Sequence, residues 1–138
     1  MAGILLVTHN GLGDSMVDCV RHVLGSVPSN LMVLAIHSRD DAQRKEEEGR
    51  AVIAHLDTGE GVLLLADMFG ATPSNICNRL CQLPKVAGVA GLNLPMLLRV
   101  VTHGSEPLDQ LARIALEGGR ESIVPINSAS KEKQNAAT

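Results

Sequence analysis

The sequence predicts an α/β domain: an open, mainly parallel sheet with helices on both faces and one antiparallel strand at its edge. Two observations predict this. Short, continuous apolar runs recur at residues 4–7, 31–36, 62–66 and 86–90, and a run without inside–outside alternation suits a strand buried on both faces. Between them lie segments whose apolar residues return at helical spacing. Strands alternating with helices in this way give parallel strands joined by crossover helices.

The elements follow in order. The first run closes on Thr8-His9, and residues 10–14 form a turn. Met16, Val20, Val23, Leu24 and Val27 then mark a helix that ends before Pro28. After the second strand, residues 39–56 form a charged helix with Ala42, Val52, Ile53 and Leu56 inward. Gly59-Glu60-Gly61 breaks the chain, and the third strand runs into Asp67. Thr72-Pro73 is a helix start, a capping hydroxyl followed by proline at the first helical position. Ile76, Leu80 and Leu83 give that helix its apolar face. The fourth strand leads into Gly91-Leu92-Asn93-Leu94-Pro95, and residues 96–101 read as helix. Ser105-Glu106-Pro107 starts a further helix with Leu108, Leu111, Ala112 and Ala115 inward. Residues 122–126 read as a last short strand, placed to pair antiparallel at an edge and to make a dimer contact there. The 138 residues make one domain, residues 1–127, followed by a polar tail at 128–138 expected to be disordered.

Composition excludes several functions. The net charge is −3 with no basic block, and Phe69 is the one aromatic residue. Neither a nucleic-acid surface nor an anionic membrane surface fits. The opening residues lack the basic region and apolar length of a signal peptide. No stretch approaches the roughly 20 apolar residues of a spanning helix, so a soluble, cytoplasmic protein is expected. Cys19, Cys77 and Cys81 are odd in number, as in a reducing compartment. Cys77 and Cys81, four apart on a helix, read as buried thiols, and no metal or cofactor is expected. A GxGxxG loop and a Walker lysine are both missing, so neither a dinucleotide nor ATP is the expected ligand.

In open α/β sheets the ligand crevice lies at the carboxyl ends of the strands, where strand order reverses. In orders beginning 2-1-3, strands one and three are neighbours at that point, which brings His9 to Asp67 across 58 positions. A carboxylate on one imidazole nitrogen fixes the tautomer and leaves the other nitrogen as a nucleophile. The backbone at Phe69, Gly70, Ala71 and Thr72, just ahead of a helix N-terminus, suits an anion, and Thr72 adds a hydroxyl. Singly, each part has an ordinary structural reading. His22, His37, His55 and His103 share no motif and read as surface residues.

Three segments occur in order: Val7-Thr8-His9-Asn10-Gly11, then residues 65–75, LADMFGATPSN, then residues 91–97, GLNLPML. Together they resemble the enzyme IIA domain of the mannose family of the bacterial sugar phosphotransferase system, over nearly the whole chain. The resemblance implies that His9 accepts a phosphoryl group on Nε2 from the phosphohistidine of the carrier HPr, with Nδ1 facing Asp67. It implies that Gly70, Ala71, Thr72 and Asn93 line the phosphate crevice. Thr72 stands where serine is usual. Met68 departs from the threonine that reaches the phosphate in some members. The resemblance also implies a homodimer that exchanges the C-terminal strand. The expected acceptor is a separate IIB protein, the membrane being reached only through a permease. A dihydroxyacetone kinase system would be a variant of that role. The alternatives are a regulatory module, whose phosphorylation state a partner reads, and a ligand-binding domain without covalent chemistry.

Overall fold

The computed structural model describes residues 1–70 and 72–127, with the backbone alone at 72–74. Four strands and five helices alternate: β1 (Gly3–His9), α1 (Leu12–Leu24), β2 (Leu31–Ile36), α2 (Ala42–Leu56), β3 (Val62–Ala66), α3 (Thr72–Leu80), β4 (Val86–Ala90), α4 (Leu94–Thr102) and α5 (Leu108–Glu121). The sheet order is β2-β1-β3-β4, and every pairing is parallel. The order reverses between β1 and β3, where the sequence placed the crevice.

Both faces of the sheet are covered. Leu5 and Val7 of β1 point to one side and pack with Ile53 of α2 and Ile76 and Leu80 of α3. Ile4 and Leu6 point to the other and pack with Val20 of α1, Leu97 of α4 and Leu111 of α5. This double burial explains why the strands read as unbroken apolar runs: all five residues of β3 are buried. Each such side chain stabilises the fold by roughly 1.5–3 kcal/mol, so the central pair β1–β3 is the firmest part of the sheet. Its carboxyl end is where the polar residues begin.

Helix ends differ from the sequence reading where a cap decides them. The first helix stops at Leu24, because Gly25 turns left-handed at φ 85° and its N–H reaches the Arg21 carbonyl. The second starts at Ala42 rather than at residue 39, because the Asp41 carboxylate accepts from the Gln43 N–H. The fourth starts two residues early, because Asn93 caps it through the Met96 N–H at 2.9 Å.

The expected last strand is not formed within the single chain, and the described residues contain no antiparallel strand. After α5 the chain carries Ile123 and Ile126 at 79% and 97% exposure. A strand needs a ladder partner for its backbone, and residues 122–127 form no ladder with the four strands. The predicted tail, residues 128–138, lies outside the described residues.

Candidate active site

Parallel pairing of β1 with β3 sets Val7 opposite Ala66, and just beyond the ladder His9, two residues on, meets Asp67, one residue on. One carboxylate oxygen, Oδ2 of Asp67, does two things. It accepts the backbone N–H of His9 at 2.9 Å and lies 2.9 Å from Nδ1 of the same ring. An ionised carboxylate only accepts. Nδ1 is therefore the protonated nitrogen, and Nε2, on the far side of the ring, carries the free electron pair. The Asp67 side chain is 10% exposed and that of His9 41%: the orienting group is sunk and the oriented group open. Oδ1 of Asp67 is buried without a hydrogen-bond partner among the described residues.

The strand end is also held from the opposite face. Thr8 is fully buried, and its hydroxyl accepts the Gly13 N–H of α1 at 3.0 Å. A Cβ at Gly13 would stand 2.6 Å from that hydroxyl and 2.7 Å from Val33, so glycine is what lets the first turn of α1 approach β1. Between them Asn10 adopts φ 51°, a left-handed conformation that asparagine tolerates, and its N–H continues the ladder to the Ile36 carbonyl.

Around Asp67, Met68 and Phe69 project outward at 51% and 74% exposure. Gly70 follows at φ 88°, with open space where a Cβ would stand. Ala71 and the side chain of Thr72 lie outside the described residues. Asn93 is not brought to the ring. Its Oδ1 caps α4 and its Nδ2 donates to the Gly119 carbonyl at 3.1 Å. Its loop does touch the site's frame, since the Gly91 and Leu92 N–H groups both reach the Ala66 carbonyl beside Asp67.

This geometry can be set against known proteins. The family model for the PTS system fructose IIA component, EIIA-man, matches residues 3–115. The chain belongs to this family. It is 29% identical over 133 residues to the PTS system mannose-specific EIIAB component of Escherichia coli K12, covering 94% of this chain and 41% of that protein. The chain thus spans about two fifths of the length of the curated relatives it matches. Two solved structures share the fold. One is a mannose/sorbose-specific IIA subunit from Enterococcus faecalis, with TM-score 0.82, 22% identity and coverage of 91% of this chain and 95% of that one. The other is the phosphotransferase system component EIIA from Streptococcus agalactiae, with TM-score 0.81, 21% identity and coverage of 91% and 97%.

The rest of this IIA domain separates structural from site residues. Cys77 is buried in α3, and its thiol is pushed up to about 12, first by burial and then by the neighbouring Cys81 and Asp67. No group of three potential metal ligands forms among the described residues, and none of their helices is long and apolar enough to cross a membrane. His37, read from the sequence as a surface residue, is exposed. It follows β2 as Asn10 follows the ladder position of β1, and with His9 it lines an open depression of about 510 Å³. The signal was available in the strand order, since in 2-1-3 the carboxyl end of β2 also borders β1.

Proposed function

We propose that this IIA domain is a phosphocarrier of the sugar phosphotransferase system, taking a phosphoryl group from phospho-HPr onto His9 and passing it to a separate IIB protein. The observation that carries the reading is the 2.9 Å contact of Asp67 with Nδ1, which leaves Nε2 as the nucleophile. In the transfer the donor's P–N bond breaks as a bond from phosphorus to Nε2 of His9 forms. The donor ring leaves with its electron pair, and the His9 ring, still protonated at Nδ1, becomes cationic. Asp67 then faces a positive ring, and its buried carboxylate stabilises that state. Backbone N–H groups at Gly70, Ala71 and Thr72, with the Thr72 hydroxyl, suit the equatorial oxygens at the start of α3. Asn93 supports them through the loop that it fixes to α4 and α5. The protein works in the cytoplasm and reaches the membrane only through a permease.

The same reading includes a homodimer. Ile123, Val124 and Ile126 are exposed just past α5, and β4 is an edge strand of the sheet among the described residues. Exchange of this segment between two subunits would give both the partner they lack.

The test is intact-protein mass after incubation with phosphoenolpyruvate, enzyme I and HPr. Wild type gains one acid-labile phosphate and His9→Ala gains none. Equal labelling of both would sink the assignment of His9.

A further inference from the structure

Asp67 approaches the His9 ring from β3, so the ring's reactive nitrogen opens away from β3. On the other side of β1 stands β2. Its register sets His9 opposite Ile36, and the next residue out is His37. His9, Asn10, His37, Ser38 and Asp40 line the depression of about 510 Å³ on that side. A second histidine therefore borders the depression that His9 lines.

His37 is placed rather than loose. Its backbone N–H donates to the Asp40 carboxylate at 2.7 Å, and its Nδ1 lies 3.2 Å from the Asn10 side-chain oxygen. An amide oxygen only accepts, so Nδ1 is the donor. The remaining nitrogen is Nε2, on a side chain that is exposed. It presents an N–H only when the ring is an imidazolium, the form that a neighbouring phosphoryl dianion favours.

We infer that His37 is a second phosphoryl-binding residue of this site, donating from Nε2 as an imidazolium to an oxygen of the group in transit on His9. The inference rests on the phosphocarrier reading and adds to it a cationic clamp on the β2 flank, opposite the backbone donors of the β3–α3 loop. The charged groups facing His37 are few. Arg39, Asp40 and Asp41 lie on its own loop. Lys45 of α2 sits 3.7 Å from Asp40 and draws part of that carboxylate's charge away. From β1 and β3 come His9 and Asp67, already paired with each other. Asp40 and Asp41 each accept a backbone N–H, and an incoming phosphoryl group would add a further anion on this flank.

The test measures the rate of phosphoryl transfer from phospho-HPr to the full chain between pH 5.5 and 8.5, in wild type, His37→Gln and His37→Arg. Folding of each is checked by circular dichroism. Loss of one charge-assisted hydrogen bond slows His37→Gln about tenfold on the acid side. The wild-type to His37→Gln ratio then falls toward one as pH rises. His37→Arg, a permanent cation, keeps the fast rate at every pH. Taking ratios cancels titration common to both proteins, that of HPr included. If both variants match wild type, or both are slowed equally at all pH values, the inference fails while the phosphocarrier reading stands. If wild type itself takes no phosphate, both fail together.

Discussion

The two flanks of His9 are built differently. On the β3 flank Asp67 is nine-tenths buried, accepts twice through one oxygen, and sits at the end of a strand whose residues are all buried. On the β2 flank His37 is exposed, borders an open depression, and is held by one side-chain contact to Asn10. A rigid, dry flank fixes the ring and its tautomer. An open flank leaves room for the macromolecular donor and acceptor that the proposed function requires. The division follows from topology, because a central strand at a switch point has one neighbour on each side and can use them for opposite purposes.

The sharpest way to break the comparison is to empty the closed flank. Asp67→Ala removes the acceptor for both the His9 N–H and Nδ1. Losing a partner that fixes a functional histidine costs roughly 10–100-fold, and transfer from phospho-HPr should slow by that factor with the fold retained. Asp67→Asn keeps an acceptor without the charge and should fall between. The measurement is single-turnover transfer monitored by mass. A normal rate in Asp67→Ala would remove the closed flank from the mechanism.

The end of β1, between the two flanks, also depends on the helix beneath it. Gly13→Ala places a Cβ 2.6 Å from the Thr8 hydroxyl and 2.7 Å from Val33. Alanine gains about 1 kcal/mol of helix propensity over glycine. Overpacking a tight contact costs about 1–3 kcal/mol, and a buried hydrogen bond to Thr8 is strained as well. The clash should win, lowering stability by about 1–2 kcal/mol in urea denaturation. An unchanged midpoint would mean that α1 moves off β1 without penalty.

How much of this was legible in the sequence depended on which interactions are local. The four strands came from unbroken apolar runs and their parallel pairing from the alternation with helices, while the common order beginning 2-1-3, which the structure has, brought His9 to Asp67. The caps at Asp41 and Asn93 were missed because Asn93 sits in a loop that reads equally well as part of a crevice. His37 was read as a surface residue, which it is; that it borders the same depression as His9 was implicit in the 2-1-3 order, while its contact with the left-handed Asn10 leaves no pattern. Residues 122–126 look like a strand because Ile123, Val124 and Ile126 are strand formers. Whether they pair depends on a partner edge, which the sequence of one chain does not specify.

The smallest effect tests dryness beneath Asp67. Cys77 lies in α3 with its thiol pushed up to about 12 by burial and by the charges of Cys81 and Asp67, whereas Cys19 is exposed. At pH 8 a thiol reagent should label Cys19 quickly in the native protein and spare Cys77 until unfolding, because the thiolate is the reactive form. Stability follows with a definite sign. Between pH 9 and 12 the unfolded chain ionises Cys77 while the folded chain keeps it protonated, so the unfolded state binds fewer protons and stability falls as pH rises. The stabilising contribution is complete below pH 9, and its loss proceeds at no more than about 1.4 kcal/mol per pH unit. Cys77→Ala, compared over the same range, should show a shallower decline. Equal slopes, or rapid native labelling of Cys77, would mean that water reaches the underside of Asp67 and that the two flanks differ less than their burial implies.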